Sequence, residues 1–600
     1  MTDATQDIIP PKSVGNLHNL LLERIRRSPD VLAYRCFNTE KNQWGELSWQ
    51  QVADEVACWK AALAAEDLQI GDRVAVMAQN CPKWVMFEQA ALSLQLVLVP
   101  LYANDRPDNI GYIIQDAGIK LILIENENHW QVLCEAYNSM QDVQRIISLK
   151  TVDSAHDVRL KNLADWLPTK SIPLEKLDVA NDTLATIVYT SGTTGNPKGV
   201  MLSHANILWN ADSAQRCDHF YTDDVFLSFL PLSHMFERTA GYYMPMQVGA
   251  SISFSRSIEK LAEDMLYIRP TILVTVPRIF ERVYNKIQLQ LADKPAFARK
   301  LFDKTVDVGW QRFLISQGRA SRSASQLLWP LLDALVAKKI RAKLGGRLRL
   351  AVCGGAALSN DIARTFMGLG ITITQGYGMT ELSPVVSTNR LDDNDPFSVG
   401  QPLPEVEARI GENGELLVRS PGIMLGYYKN EKATAEMIDE EGWLHTGDVA
   451  EIREGRIYIT GRLKDIIVLS NGEKIPPADM ELAISTDPLF EQAMIIGEGR
   501  SFLSAIVVIN QDKWLTLARS LSLDPEDSTN LDNDKVQQIL MEHIAVKLAH
   551  FPGYAKLYAI KATLEPWSIE NGLITPTMKV KRSRVEDYFQ DTISAFYAGH

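Results

Sequence analysis

The sequence predicts an α/β protein that has a large N-terminal domain of layered α/β sheets and a small C-terminal α/β domain. Through the first 180 residues, apolar segments with strand character alternate with amphipathic helical segments, as in mostly parallel sheets covered by helices. The chain of 600 residues is long enough for more than one core. Residues 461–465 lack an apolar pattern, and a smaller alternation of helices and strands follows them. We therefore predict an N-terminal domain of residues 1–461 and a C-terminal domain of residues 466–600.

Local patterns define the elements of the first part of the chain. The most apolar long stretch, residues 84–102, contains Glu88, Gln89 and Pro100. These residues indicate a core helix followed by a buried strand and not a membrane span. The other elements predicted in this part are helices at residues 16–27, 49–65 and 110–117 and strands at residues 73–78, 120–124 and 184–189.

Four later strands, predicted within residues 226–238, 271–278, 347–357 and 371–381, end in small or polar residues. In open α/β sheets, ligands bind beyond the carboxyl ends of the strands. His234 and Arg278 follow two of these strands, and His234 is therefore a candidate site residue. Further along, the patterns predict short strands between residues 405 and 419, a hairpin of residues 450–453 and 457–460, and a strand at residues 502–509.

Residues 286–343 differ in character from the rest of the chain. They contain twelve Lys or Arg and four Asp or Glu, a local charge of +8 in a chain of −13. Apolar residues recur among them at helical spacing: Phe302, Val306 and Trp310, then Leu327, Leu331 and Leu335. The pattern predicts a helical insert with a basic, partly apolar surface. This surface is either an ordinary solvated face or a contact for a membrane surface or a partner.

Composition limits the class of protein. A net charge of −13 and a pI of about 5.4 argue against a general nucleic-acid-binding protein. The six cysteines form no C-x-x-C pair, so neither a disulfide framework nor a zinc site is indicated. Residues 1–12 are polar and lack the apolar core of a signal peptide. We expect a cytoplasmic protein, with a peripheral location on the inner face of a membrane as the alternative.

Residues 187–199 contain the end of an apolar segment and a polar loop that follows it. After the apolar segment 184–189, the chain has four hydroxyl residues, three glycines and Lys198. Glycines allow successive backbone N–H groups to converge on an anion, and a lysine adds a charge suited to phosphate. A polar surface loop is the simplest alternative. A P-loop is another, but its register fails, because Pro197 stands where the second glycine belongs and Gly199 follows the lysine.

This loop resembles the phosphate loop of the adenylate-forming enzymes, the superfamily of acyl-CoA synthetases and luciferases. Four further strings match that family in the family's order, at residues 375–381 (QGYGMTE), 442–448 (GWLHTGD), 461–465 (GRLKD) and 575–579 (TPTMK). Five matching strings in order make chance agreement very improbable. The strings at residues 229–238, 275–278 and 571–582, together with the helical insert, most resemble long-chain fatty acyl-CoA synthetases.

The resemblance implies a two-step reaction. A fatty acid carboxylate attacks the α-phosphate of ATP and releases pyrophosphate, and the thiol of coenzyme A then displaces AMP from the acyl-adenylate. ATP, Mg²⁺ and the co-substrate coenzyme A would therefore be needed, and catalysis would rest on positioning and electrostatics. The alternatives are a medium-chain or aryl acid CoA ligase of the same superfamily and a non-catalytic protein that binds an acyl ligand on this scaffold. The presence of both Glu381 and Lys579 counts against the last.

The resemblance also assigns residues to the nucleotide. Residues 190–198 would hold the β- and γ-phosphates, and Tyr377 would pack against adenine. Asp448 would accept hydrogen bonds from the ribose, with Arg462 nearby. The residues assigned to nucleotide or coenzyme A binding are Thr190, Ser191, Gly192, Thr193, Thr194, Gly195, Lys198, Gly354, Gly355, Ala356, Gln375, Gly376, Tyr377, Gly378, Asp448, Arg462, Lys464, Asn471 and Gly472.

Four residues are candidates for catalysis: Lys579, Glu381, Thr380 and His234. By resemblance, Lys579 stabilises the charge between carboxylate and α-phosphate, Thr380 donates to the α-phosphate, and Glu381 binds Mg²⁺. Many relatives have glycine before this lysine, whereas here the residue is Met578, and Lys581 is the alternative to Lys579.

Lys464 matches the family's hinge position, which assigns residues 462–465 to a hinge. Rotation of the small domain about this hinge would replace Lys579 with a face near residues 470–474 that serves thioester formation.

Overall fold

The computed structural model describes residues 5–153, 157–190, 196–471, 473–552, 555–575 and 578–598. The strands are β1 (Leu32–Asn38), β2 (Gln43–Ser48), β3 (Arg73–Met77), β4 (Val97–Pro100), β5 (Ile119–Ile124), β6 (Arg145–Ser148), β7 (Leu160–Asn162), β8 (Leu184–Thr190), β9 (Lys198–Ser203), β10 (Val225–Ser228), β11 (Ser251–Phe254), β12 (Ile272–Thr275), β13 (Leu350–Cys353), β14 (Ile373–Gly378), β15 (Val385–Thr388), β16 (Gln401–Pro402), β17 (Glu407–Ile410), β18 (Glu415–Arg419), β19 (Gly426–Tyr427), β20 (Leu444–Arg453), β21 (Arg456–Arg462), β22 (Ile467–Val468), β23 (Lys474–Ile475), β24 (Phe490–Ile496), β25 (Leu503–Ile509) and β26 (Leu557–Thr563).

The α-helices are α1 (Pro11–Val14), α2 (Leu17–Arg27), α3 (Trp49–Ala64), α4 (Pro82–Ser93), α5 (Pro107–Ala117), α6 (Glu127–Glu135), α7 (Leu163–Trp166), α8 (His204–Gln215), α9 (Met244–Val248), α10 (Leu261–Ile268), α11 (Pro277–Ala292), α12 (Ala296–Ser316), α13 (Trp329–Leu332), α14 (Lys338–Lys343), α15 (Asn360–Gly368), α16 (Glu431–Met437), α17 (Pro477–Ser485), α18 (Gln511–Ser520), α19 (Asp534–Lys547), α20 (Arg582–Tyr588) and α21 (Gln590–Phe596). Two π-helical segments span Glu237–Tyr243 and Asp333–Ala337. Short 3₁₀ turns include Thr380–Leu382.

Two large sheets form the N-terminal region. One has nine strands in the order β16-β15-β14-β13-β12-β10-β11-β1-β2, and the other has eight in the order β19-β9-β8-β4-β3-β5-β6-β7. The central pairs in both are parallel, and antiparallel strands lie toward the edges. Strand β5 is buried along nearly its whole length, as expected for a parallel strand covered on both faces. The predicted α/β fold class is confirmed.

The predicted helix–strand pair in residues 84–102 is present as α4 followed by β4. Every residue of both elements except the exposed Lys83 is buried. The polar side chains of Glu88 and Gln89 can be buried in this core because they have hydrogen-bond partners. Arg238 and Tyr243 donate to Glu88, and Gln89 donates to Tyr242. No helix among the described residues is long and apolar enough to cross a membrane.

A four-stranded antiparallel sheet, β17-β18-β20-β21, leads to the C-terminal region. Its hydrophobic cluster ends with Ile457 and Ile459, and a separate cluster begins at Ile467. Strands β24, β25 and β26 form the C-terminal sheet, with helices from α17 onward packed around it. The residues between the two clusters contain the segment 461–465 at which we placed the domain boundary.

The insert is helical, and its helices begin earlier than residue 286. Helix α11 starts at Pro277, two residues after β12 ends, because proline suits the first position of a helix. Phe302, Val306 and Trp310 are buried, so the first apolar series is core. The second series is surface, since Leu327 is 85% exposed and Leu331 is 60% exposed.

Candidate active site

Seven of the predicted nucleotide residues, 354–356 and 375–378, lie at the carboxyl ends of β13 and β14. Strand β14 ends at Gly378, and the turn Thr380–Leu382 follows it directly. A side chain at Gly378 is excluded, because its Cβ would lie 2.0 Å from the carbonyl oxygen of Pro384. This close approach of two backbones explains why residue 378 is glycine. Thr380 and Glu381 follow it at the edge of the sheet.

Tyr377, Asp448 and Arg462 form one hydrogen-bonded group. The Tyr377 hydroxyl donates to Asp448 Oδ2, and Arg462 Nε donates to Asp448 Oδ1 at 2.9 Å. Asp448 is buried, and strand pairing places it directly opposite Arg462. A carboxylate has about four acceptor sites, so Asp448 retains capacity for a ribose hydroxyl.

The remaining predicted nucleotide residues differ in their roles. Gln375 accepts from Leu358 N at 3.1 Å and donates to the Pro396 carbonyl, so its amide holds protein loops and is already satisfied. Gly354 is buried, and an added Cβ there would lie 3.1 Å from the ring of Phe236. Residues 355 and 356 are exposed, and Gly376 packs against the backbone of β15.

Lys579, in the C-terminal region, lies near Asp448 and Glu381 of the N-terminal region, and we call the space between these residues the cleft. Its backbone is held by Thr575, which accepts from Lys579 N through Oγ1 and donates its own N–H to the Lys579 carbonyl. Desolvation in the cleft lowers the pKa of Lys579 and Arg462 lowers it further, while Asp448 and Glu381 oppose the shift. The lysine therefore faces both predicted carboxylates.

Lys581 faces a different environment. Partial burial lowers its pKa, and its charged neighbours are Arg106, Asp105, Arg584 and Asp108. Met578 adopts a φ of +64°, the left-handed conformation that glycine enters most easily. Met578 therefore adopts a backbone conformation suited to glycine, the residue that many relatives have at this position. Lys579, the next residue, is the lysine that lies near Glu381.

His234 lies half-buried near Lys579. Its Nδ1 accepts a hydrogen bond from Phe236 N at 3.2 Å, so the neutral ring carries its proton on Nε2. Desolvation lowers the pKa of His234 to about 4, with a smaller contribution from the charge of Lys579. At neutral pH the ring is therefore a neutral hydrogen-bond donor and not a cation.

Glu381 is the carboxylate assigned to a metal. It is 7% exposed, and its Oε1 accepts from the Tyr427 hydroxyl at 2.8 Å. Within the described residues, Oε2 has no hydrogen-bond donor, and no group of three or more His, Cys, Asp or Glu could enclose a metal. One free carboxylate oxygen fits Mg²⁺, which proteins commonly hold through one or two carboxylates together with substrate phosphates and water.

The phosphate loop emerges from the β8–β9 hairpin. Thr190 and Lys198 are paired at its open end, and residues 191–195 lie outside the described residues. The Lys198 ammonium lies 4.9 Å from the centre of the Tyr427 ring. Lys464 is exposed in the turn between β21 and β22, Asn471 accepts from Glu473 N at 3.0 Å, and Gly472 is outside the described part of the chain.

Sequence reasoning missed a buried network behind the site. Arg238 Nε donates to Glu88 Oε1 at 2.8 Å, and Arg238 Nη1 donates at 2.9 Å to Thr186, which belongs to β8. Tyr243 donates to the same Glu88 oxygen at 2.7 Å. The network joins helix α4 and the π-helical segment Glu237–Tyr243 to strand β8, and its sequence signal was Glu88 inside an apolar stretch.

Glu237, beside that network, is fully buried, and neither carboxylate oxygen has a hydrogen-bond partner among the described residues. Burial raises its pKa from 4.5 to about 8. The folded protein therefore keeps this proton between pH 4.5 and 8 while the unfolded chain releases it, so stability falls as the pH rises through this window. We expect Glu237→Gln to remove this loss and to stabilise the protein at pH 8, by at most about 5 kcal/mol.

Melting temperatures at pH 5.5 and pH 8 measure this effect, with the exposed Glu440→Gln as a matched control. The difference between variant and wild type should grow with pH. A difference that is the same at both pH values contradicts the assignment of a protonated Glu237.

The sheets, the glycine-lined strand ends and the cleft residues define the class of enzymes that form acyl-adenylates. A model of the AMP-binding enzyme family matches residues 21–428, and a model of the AMP-binding enzyme C-terminal domain matches residues 464–600. The chain belongs to the AMP-binding enzyme family.

Curated relatives cover most of the chain. Long chain acyl-CoA synthetase 6, peroxisomal, of Arabidopsis thaliana is 32% identical over 92% of this chain and 82% of its own length. Long-chain-fatty-acid–CoA ligase 1 of Homo sapiens is also 32% identical, with the same coverage of both chains.

Solved structures share the fold. The A domain of carboxylic acid reductase from Segniliparus rugosus, in complex with AMP and a co-purified carboxylic acid, has a TM-score of 0.76 at 22% identity and covers 98% of this chain and 96% of that chain. ATP-bound MatB from Rhodopseudomonas palustris has a TM-score of 0.71 at 21% identity, with coverage of 96% and 99%.

Proposed function

We propose that this protein is a long-chain-fatty-acid–CoA ligase that forms an acyl-adenylate from ATP and then transfers the acyl group to coenzyme A. The observation that carries the proposal is the match of most of the chain to the AMP-binding enzyme family and to long-chain acyl-CoA ligases, and the charges of Glu381 and Asp448 near Lys579 support it. Curated relatives that match 92% of the chain are named as long-chain acyl-CoA synthetases or ligases. A protein that only binds an acyl ligand needs neither a mobile cation nor a free carboxylate at this place.

In the first step, a carboxylate oxygen of the fatty acid attacks the α-phosphorus of ATP, and the bond to the β-phosphate oxygen breaks. Two anions must approach each other, so the site has to neutralise charge. The Lys579 ammonium, on which the charges of Glu381 and Asp448 act, would bridge the carboxylate and the α-phosphate. Neutral His234 would donate a hydrogen bond to the reacting groups through Nε2, and Thr380, the first residue of the turn that follows β14, would donate one to the α-phosphate.

Glu381 would hold Mg²⁺ through its free Oε2. The ion would supply positive charge to the phosphates, which eases departure of pyrophosphate. Lys198 and the hydroxyls at residues 190–194 would bind the β- and γ-phosphates.

In the second step, the thiolate of coenzyme A attacks the acyl carbonyl carbon, the carbon–oxygen bond to the phosphate breaks, and AMP leaves. Lys579 has no part in this step. Rotation about residues 462–465 would withdraw it and bring residues 470–474, including Asn471 and Gly472, to the cleft.

Pyrophosphate release with ATP, Mg²⁺ and acids from C8 to C18 tests the function. We expect the highest kcat/KM among the long-chain acids. A maximum at C8 or with an aryl acid favours the other ligases of the superfamily. If none of the acids supports pyrophosphate release, the non-catalytic binding protein is favoured.

The insert supports a second, finer proposal, a peripheral contact with an anionic membrane from the cytoplasmic side. Leu327, Leu331 and Leu335 are exposed, and the exposed Arg322, Lys338 and Lys339 flank them. Apolar side chains beside basic ones bind anionic lipid surfaces by burial and by charge. Long-chain fatty acids partition into membranes because each CH₂ group favours burial, so such a contact places the enzyme at its substrate.

Co-sedimentation with vesicles checks this contact. We expect binding to vesicles that contain phosphatidylglycerol and little binding to pure phosphatidylcholine vesicles, with salt weakening the former. Replacing Leu327, Leu331 and Leu335 together by serine should reduce binding at least several-fold. The matched control replaces Ile70, Val158 and Val546, which are exposed outside the insert. Equal binding to both vesicle types, or no binding, contradicts the proposal.

A further inference from the structure

Tyr427 lies between two parts of the proposed site that come from distant stretches of the chain. Strand β19, which contains it, is the edge strand of the eight-stranded sheet and pairs with β9, the strand that leaves the phosphate loop. Two further backbone hydrogen bonds extend this pairing, from Leu425 N to the Met201 carbonyl at 2.9 Å and from Tyr428 N to the Gly199 carbonyl at 2.7 Å. The segment 425–428 is therefore attached to the exit of the phosphate loop.

The same segment is attached to the turn that carries Glu381. Met424 N donates to the Glu381 carbonyl at 2.9 Å, and the Tyr427 hydroxyl donates to Glu381 Oε1 at 2.8 Å. Tyr427 is only 4% exposed, so water competes little for this hydrogen bond. Because Oε1 is held in this way, Oε2 is the oxygen left to face a ligand.

The ring of Tyr427 makes a different contact. The Lys198 ammonium lies 4.9 Å from the ring centre, within the range of a cation–π interaction. One side chain thus holds a carboxylate with its hydroxyl and contacts a cation with its ring. The carboxylate and the cation are the two charged groups that the proposed function assigns to the Mg²⁺ and the phosphates of one ATP molecule.

We propose that Tyr427 is a positioning residue that sets the placement of Glu381 relative to Lys198, so that both charges meet the same Mg²⁺·ATP. This inference rests on the proposed function. Tyr427 itself would touch neither ATP nor the metal. Its hydroxyl would act through the carboxylate, and its ring would act through the lysine.

The test compares Tyr427→Phe, which keeps the ring and removes the hydroxyl, with Tyr427→Leu, which removes both. Tyr428→Phe is the matched control, because it removes a hydroxyl from the adjacent residue of the same segment. Mn²⁺ serves as a paramagnetic probe, and its binding in the presence of ATP without fatty acid is measured by electron paramagnetic resonance. Pyrophosphate release against Mg²⁺ concentration and thioester formation from supplied acyl-adenylate are measured in parallel.

We expect Tyr427→Phe to weaken Mn²⁺ binding about ten-fold and to raise the half-saturating Mg²⁺ concentration similarly, since it releases one charge-assisted hydrogen bond. Thioester formation and the KM for ATP should change less than two-fold, within the scatter of such effects. Tyr427→Leu should also raise the KM for ATP. Unchanged Mn²⁺ binding in Tyr427→Phe overturns the proposal, and equal losses in both half-reactions indicate structural support alone. If the wild type released no pyrophosphate with any acid, the proposed function would fail, whereas the Mn²⁺ comparison would still test Tyr427.

Discussion

Replacing Lys579 by alanine should lower the rate of acyl-adenylate formation by about 10²–10³-fold or more, while thioester formation from supplied acyl-adenylate stays largely intact. The side chain enters the cleft beside Glu381 and Asp448, where the proposed first step brings two anions together. Without the ammonium, the repulsion between carboxylate and α-phosphate is left uncompensated in the transition state. The second step has no such approach of anions, so it does not need this charge.

Pyrophosphate release reports the first step, and acyl-CoA formed from synthetic acyl-adenylate reports the second. Lys581→Ala is the matched control, because the charged neighbours of Lys581 include Asp105 and Arg106 and neither Glu381 nor Asp448. Equal loss in both steps for Lys579→Ala refutes the assigned role. If Lys581→Ala lowered the rate of acyl-adenylate formation more than Lys579→Ala does, Lys581 would be the residue that serves the first step.

Replacing Lys464 by proline should slow thioester formation at least about ten-fold more than adenylation, because the two steps need different placements of the C-terminal domain. Proline fixes φ near −65° and restricts the preceding residue, so it stiffens the turn between β21 and β22. Within the described residues, the Lys464 N–H donates no hydrogen bond, whereas Leu463 N and Asp465 N each donate one. Proline at residue 464 therefore removes no backbone hydrogen bond from the present arrangement.

Lys464→Ala separates the backbone from the side chain. The lysine is exposed, and alanine leaves the backbone of the turn free to rotate, so Lys464→Ala should not slow thioester formation more than adenylation. Comparing acyl-adenylate formation with thioester yield in the two variants checks the hinge. Equal slowing of both steps by proline would count against it.

Much of the molecule could be predicted from the sequence because local chemistry specifies it. Alternating apolar segments determine the α/β layers, and a short polar segment marks the end of one hydrophobic cluster before the next begins at Ile467. The glycines of residues 375–378 could be recognised as a motif, and Gly378 proves to be required by a backbone contact. A motif does not always identify the residue type at such a position, since Met578 adopts the left-handed backbone conformation that glycine favours.

Other features could not be predicted because they depend on partners far apart in the chain. Gln375 belongs to a matching motif, yet its amide is engaged by Leu358 and Pro396. The two apolar series of the insert look alike in sequence, but one packs into the core and the other faces solvent. Spacing shows which side of a helix is apolar, and only packing shows what covers it.

By itself, the sequence determined the fold class and the family to which the chain belongs. These depend on patterns and motifs that are local along the chain. Only the tertiary structure decided which charges share the cleft, how Tyr427 links Glu381 to Lys198, and how Glu88 pairs with Arg238 in the core. The physical reason is that electrostatic and hydrogen-bond interactions act over a few ångströms, so residues separated by 46 and by 150 positions interact only once the sheets have assembled.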